Sequence, residues 1–265
     1  MLIAFAGIAN LNCSNLTNVI QLPLYTAILE GSVVMIKAVH MMVITPHPDD
    51  AEFGVAGTVA RWTGEGKDVI YVVCTNGDKG TNDPNVKLDE LAKIREKEQL
   101  AAAKLMGVRE VIFLRHPDQG LEDTSEFRKE IVRLIRTYKP ETVVTADPYR
   151  RYIWHRDHRI TGQVTLDAVF PYARDFHSYP DLLDEGLPPH KVKEVWLWAA
   201  QEPNYRTDIT STFTTKVAAL HCHKSQMSDN PFGGLEERLR ERHKALAQGE
   251  DYELAEAFYR IEIWW

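Results

Sequence analysis

Apolar and polar positions switch between two periods along residues 38–146. Four short apolar runs, "AVHMMVIT" (38–45), "DVIYVVCT" (68–75), "VREVIFL" (108–114) and "ETVVTA" (141–146), have the length and β-branched content of buried strands. Between them the apolar positions fall at helical spacing. Val55, Val59 and Trp62 mark a helix in "EFGVAGTVARWTGEG", ended by Gly64 and Gly66. Residues 87–107 form a long helix closed by Gly107, and residues 126–138 a third that stops before Pro140. Strand and helix alternating through short connections predict an α/β, Rossmann-like fold, a mostly parallel sheet with helices on both faces. "EVWLWAA" (194–200) reads as a further strand, and helices are expected after 159 and after 213. Residues 171–190, rich in Pro and Asp, read as a long surface excursion. The charged stretch 234–260 reads as one solvated amphipathic helix. With no internal repeat or linker, residues 36–265 form a single domain. Residues 1–35 are an extension whose role the sequence does not reveal.

In an open sheet of this kind, ligands bind outside the carboxyl ends of the strands. The loops after residues 45, 75, 114 and 146 should therefore share one rim, and "NGDKGTNDPN" (76–85) and "HPDQGLEDTS" (116–125) are two of them.

Composition narrows the classes. A 265-residue chain with 44% hydrophobic and 26% charged residues can bury a sizeable core. A formal net charge of -7 argues against nucleic acid or an anionic membrane as partner, since phosphate binding wants a basic footprint. No apolar run reaches the roughly 20 residues of a membrane span. Cys13, Cys74 and Cys222 are sparse, odd in number and without CxxC, which suits a reducing, cytoplasmic setting. The amino terminus has no basic region of the secretory type. Asn15 in "NLT" is a glycosylation acceptor only if the chain is exported, and Met35, Met41 and Met42 are alternative starts.

Two rim segments carry candidate chemistry. "HPDD" (47–50) follows the first strand, and "DPYRRYIWHRDHR" (147–159), with His155, Asp157 and His158, follows the fourth. Two imidazoles and a carboxylate suit a divalent cation such as zinc with positions left open. A second carboxylate beside the ligating one could take a proton from water as general base. The plainer alternatives are an Asp49 or Asp50 helix cap for the first segment and a polar loop with surface histidines for the second. A dinucleotide-binding oxidoreductase fails for lack of GxGxxG after the first strand.

"PHPDDAEFGVAGTVARW", "IREKEQLAAAKLMGV", "DPYRRYIWHRDHR" and "KVAALHCHKSQ" resemble, in order and spacing, the PIG-L/LmbE-type zinc-dependent N-acetylglucosaminyl deacetylases. Within that family the chain looks most like the archaeal-type diacetylchitobiose deacetylases. The resemblance spans roughly residues 38–228. It implies that His47, Asp50 and His158 hold Zn2+, or another divalent metal, and that Asp49 is the general base. It further implies that His155 stabilises the oxyanion and protonates the leaving amine, and that Asp157 orients His155. Arg95 and Asp118 match substrate-binding positions. The implied reaction is attack of a metal-activated water on the acetamide of a small GlcNAc-containing sugar or glycoconjugate, releasing acetate. The alternatives are an amidase acting on a larger, thiol-type glucosaminyl conjugate, and a non-catalytic sugar-binding member of the fold. Relatives that assemble as trimers or hexamers imply a homo-oligomer.

The chain also departs from the family. Ile153 stands where some members have Tyr, and Arg156 where many have Pro. Trp154 is either a packing residue or a platform for a sugar face. Leu88, Leu91, Arg95, Glu98, Ala102 and Leu105 share one helical stripe, so Arg95 is expected as a half-buried ion pair, fixed by Glu98, or facing the site. His116, and the pair His221 and His223 beside Cys222, imitate metal motifs and are assigned no metal.

Overall fold

The computed structural model describes residues 28–29, 32–33, 37–152, 154–227 and 234–264. Within residues 1–35, β1 (Ile28–Leu29) pairs antiparallel with β2 (Ser32–Val33). Cys13, Asn15 and most of that extension lie outside the described residues, as does Ile153.

Residues 36–265 form one compact unit around a seven-stranded sheet. Its strands are β3 (Met41–Thr45), β4 (Val69–Thr75), β5 (Glu110–His116), β6 (Thr142–Ala146), β7 (Glu194–Trp198), β8 (Tyr205–Asp208) and β9 (Ala255–Glu262), in the order β5-β4-β3-β6-β7-β9-β8. The first five run parallel; β9 lies antiparallel between β7 and β8. β3, β4 and β6 are buried at every position, as a strand covered on both faces must be.

The two faces carry separate cores. Met42, Ile44, Ile70, Val72 and Val143 pack under α4 (Ser125–Tyr138) and α5 (Arg156–Asp167). Met41, Val43, Val69, Tyr71 and Val144 pack under α1 (Asp50–Gly54), α2 (Ala56–Gly64), α3 (Leu88–Leu105) and α7 (Phe213–Leu220). From β3 the chain builds outward to β4 and β5, then crosses back to β6 and β7. The order reverses between β3 and β6, and the crevice beyond their carboxyl ends is where such a sheet binds ligands. The HPDD turn and the loop into α5 both begin there.

Three expectations need correction. The stretch 234–260 is not one helix: α9 (Leu235–Leu246) ends near Gly249, which has φ 92°, and the chain returns as β9. In β9 Phe258 joins one core and Ile261 the other, the two-residue alternation of a strand. The predicted helix over 52–66 is two helices broken at Val55 (φ -143°). A fully buried ion pair serves that break. Lys216 donates to Phe53 O at 2.8 Å and to Glu256 at 2.7 Å, while Glu256 accepts from the Gly57 and Thr58 backbone N–H groups. Each charge thus meets the helix end of opposite polarity. Finally, residues 171–190 are not simply a surface excursion. Ala173 and Leu182 are buried, and the segment wraps the fully buried Arg136, whose guanidinium donates to the carbonyls of Tyr172, Ala173, Asp175 and Ser178.

Candidate metal centre

β3 ends at Thr45 and the chain turns at once through His47, Pro48 and Asp49 into α1. Asp49 occupies the cap position of α1, but its side chain makes no capping hydrogen bond. Its backbone has φ 91° and ψ -26°, the left-handed region. Asp50 likewise does not serve as the cap: it is the first residue of α1, and its Oδ2 accepts from the His47 backbone N–H at 3.0 Å. The helix-cap reading of HPDD therefore fails.

From the other side of the crevice, His155 caps α5, and His158 stands in its first turn. Close approach of α5 to β6 is permitted by Gly162, where a Cβ would lie 2.3 Å from the Ala146 carbonyl oxygen. The His47 and His158 rings are thereby brought to a centroid separation of 5.3 Å. His47 Nδ1 lies 2.9 Å, and His158 Nε2 3.2 Å, from the same oxygen, Asp50 Oδ2. The far nitrogen of His47, Nε2, faces Asp118 Oδ1 at 3.1 Å and Asp157 Oδ2 at 3.3 Å.

Donor atoms of His47, Asp50 and His158 lie within 4.8 Å of one another, as do those of His47, Asp118, His155 and Asp157. The first set fits a divalent cation better. Two imidazole nitrogens already converge on one carboxylate oxygen. With Nδ1 of His47 turned to the cation, its Nε2–H meets Asp118 and Asp157, the carboxylate support usual for a ligating histidine.

The electrostatics agree. Burial alone would lower the His47 pKa, but the bonds to Asp118, Asp157 and Asp50 outweigh it and raise it to about 11. Burial opposes ionisation of Asp50 too, yet His158 and His47 hold that carboxyl far below its ordinary range. The cage is built to stabilise positive charge. Asp49 behaves oppositely: burial, then the charge of Asp50, raise it to about 7, with Arg95 pulling it back down. Burial and the neighbouring His47 push His155 below the usual imidazole value.

His155 is exposed. Its Nδ1 accepts from the Asp157 backbone N–H at 3.2 Å, so a neutral ring carries its hydrogen on Nε2. The Asp157 carboxylate does not hydrogen-bond this ring. It accepts from the Gln119 N–H at 2.7 Å and the Leu121 N–H at 3.3 Å, and faces His47. The expectation that Asp157 orients His155 is thus corrected to its backbone N–H.

Arg95 is 3% exposed. It donates to Gly77 O at 2.8 Å and Pro48 O at 2.6 Å and reaches Asp49 Oδ2 at 3.3 Å. Glu98 does not fix it, being bound to the backbone N–H and hydroxyl of Ser225. Asp118 is buried, accepts from the Lys79 N–H and supports His47. Trp154 packs edge-on to His158 at 4.5 Å between centroids, and the Arg150 guanidinium covers its ring at 4.3 Å. A cavity of about 240 Å3 borders Asp50 and His158, walled by Trp154 and Trp198. His116 pairs with Glu130 at 2.7 Å, and neither it nor His221, Cys222 or His223 belongs to a candidate metal group among the described residues. No helix of the described residues is long and apolar enough to cross a membrane.

Sequence reasoning missed Glu52 and Gln99, both fully buried beside Asp49. Their signal was polar residues at helical spacing on apolar faces: Gln99 lies one turn beyond Arg95, and Glu52 three residues beyond Asp49.

Comparison with known proteins is consistent with this geometry. The family pattern described as "PIG-L: GlcNAc-PI de-N-acetylase" matches residues 42–169. The diacetylchitobiose deacetylase of Thermococcus kodakarensis is 36% identical over 200 residues, covering 76% of this chain and 74% of that one. The mycothiol S-conjugate amidase of Streptomyces coelicolor is 28% identical over 287 residues, 86% of this chain and 96% of that one. Among solved structures, the N,N'-diacetylchitobiose deacetylase from Pyrococcus horikoshii complexed with its inhibitor MPG matches with a TM-score of 0.80 and 32% identity, covering 85% of this chain and 84% of that one.

Proposed function

Since this chain belongs to the PIG-L deacetylase family, we propose that it is a zinc-dependent hydrolase that N-deacetylates a small GlcNAc-containing sugar or glycoconjugate. The observation that carries the reading is the convergence of His47 Nδ1 and His158 Nε2 on Asp50 Oδ2, with the Asp49 carboxylate next along the chain. His47, Asp50 and His158 would hold the cation, and Zn2+ suits two imidazoles and a carboxylate. When bound, it supplies Lewis acidity and lowers the pKa of a coordinated water to about 7.

The chain's own residues supply the rest. Asp49, poised near neutrality, accepts the proton of the attacking water. Arg95 anchors its carboxylate and the Pro48 carbonyl, so the guanidinium serves the base rather than the sugar. His155, exposed and carrying hydrogen on Nε2, donates a hydrogen bond to the developing oxyanion, and the proton that Asp49 has taken from the water passes to the departing amine. Asp118 and Asp157 hold the His47 ring.

The competing reading is an amidase that cuts a larger acyl group from a thiol-type glucosaminyl conjugate. The match over nearly the whole of the Streptomyces coelicolor amidase favours keeping it. Acetate and amine release decides: GlcNAc, diacetylchitobiose, GlcNAc-inositol, GlcNAc-malate and a thiol conjugate, each with and without chelator. Chelator-sensitive acetate release from a GlcNAc compound supports the deacetylase. Cleavage of the thiol conjugate alone supports the amidase, and no turnover with any compound contradicts both. A cytoplasmic location and assembly as a trimer or hexamer belong to the same proposal.

A further inference from the structure

We propose that Gln99 and Glu52, backed by His223, are positioning residues that lock Asp49 in its left-handed conformation. The inference rests on the reading of Asp49 as the general base and extends it to how the base is aimed.

A non-glycine residue held in the left-handed region is strained and persists only where its surroundings enforce it. At Asp49 (φ 91°) the enforcement is visible. Its N–H donates to Gln99 Oε1 at 3.0 Å, and its carbonyl accepts from the Glu52 and Phe53 N–H groups as the first bonds of α1. The backbone of Asp49 is thus held on both sides.

Gln99 cannot invert its amide without loss. Its Nε2 donates to Glu52 Oε1 at 2.8 Å, so a flip would set the amide oxygen against that carboxylate and an NH2 against the Asp49 N–H. Glu52 therefore dictates which end of Gln99 meets Asp49. The other oxygen of Glu52 lies 3.2 Å from His223 Nε2, and both residues are wholly buried. Burying a carboxylate, an amide and an imidazole together is costly unless each is paired; apolar side chains would fill the same space at less cost. What the polar set adds is orientation. Three separate segments contribute: α1 gives Glu52, α3 gives Gln99, and the turn after α7 gives His223. None of the three belongs to a candidate metal group.

The test uses the zinc-loaded full chain. Gln99→Leu removes the acceptor for Asp49, Gln99→Glu sets two carboxylates face to face, and the double variant Q99E/E52Q restores one donor and one acceptor with polarity reversed. For Gln99→Leu, kcat on N,N'-diacetylchitobiose should fall about tenfold to a hundredfold, as expected for a displaced catalytic group. KM and zinc affinity by calorimetry should stay within about threefold of the unaltered chain. Gln99→Glu should be impaired and Q99E/E52Q should recover most of the loss. A crystal structure of Gln99→Leu should show Asp49 out of the left-handed region, an arm that needs no turnover. Asp49 unmoved in that crystal overturns the proposal. So does equal loss of kcat, zinc affinity and thermal stability with no recovery in the double variant, which is plain scaffolding. Absence of acetate release by the unaltered chain strikes the proposed function instead and leaves the crystallographic arm to decide this one.

Discussion

Nη2 of Arg95 lies 3.3 Å from Oδ2 of Asp49 and donates to the Pro48 carbonyl at 2.6 Å. One buried guanidinium thus ties α3 to the turn after β3 and sets the charge beside the carboxylate proposed as the general base. Asp49 must be ionised to act. Burial and Asp50 raise its pKa to about 7, and Arg95 lowers it; a cation held by Asp50 lowers it further. The acid limb of kcat/KM should therefore lie at or below about pH 7. Removing the guanidinium in Arg95→Met should move that limb to higher pH, with the loss of rate greatest on the acid side. A pH-rate profile in which the limb stays put or moves down would contradict this.

Asp49→Asn keeps the shape of the side chain and removes the base. Zinc content should stay at that of the unaltered chain while kcat falls by about 10²–10⁴-fold, the usual weight of a general base. Metal analysis beside acetate release checks both halves; unchanged turnover would remove Asp49 from the mechanism.

Asp118 separates two roles. If it supports His47, Asp118→Asn should weaken zinc binding by about 10–100-fold, with KM little changed at saturating zinc. A raised KM with zinc affinity intact would return it to the sugar-contact role that the resemblance implies.

Gly162 lets α5 seat His158. A Cβ there would lie 2.3 Å from Ala146 O and 2.9 Å from Pro148 Cδ, and the backbone oxygen cannot yield cheaply. Gly162→Ala should destabilise the fold by about 1–3 kcal/mol, the range for overpacking, and lower zinc affinity along with it. Denaturant unfolding and zinc titration would reveal the two effects together; a stable variant with normal zinc affinity would show that α5 has room to spare.

Much of this arrangement is legible in the sequence. The buried parallel strands announce themselves as unbroken apolar runs, and their alternation with helices places HPDD and HRDH on one rim. Other parts depend on partners distant in sequence. β9 carries so many charges that "LAEAFYRIE" imitates a solvated helix; its Glu256 is buried because Lys216 and the start of α2 neutralise it. Periodicity put both Arg95 and Glu98 on the covered side of α3, but only geometry shows that Gln99, not Glu98, turns into the site. The partner of the Asp157 carboxylate, His47 rather than His155, is likewise set by three-dimensional placement that spacing does not encode.

The central claim is best met by crystals of the zinc-loaded protein measured at the zinc absorption edge. One anomalous peak is expected, bonded at about 2.0–2.2 Å to His47 Nδ1, Asp50 and His158 Nε2, with Asp118 and Asp157 behind His47 Nε2. A peak among Asp118, His155 and Asp157 instead, or none at full zinc occupancy in solution, would contradict it.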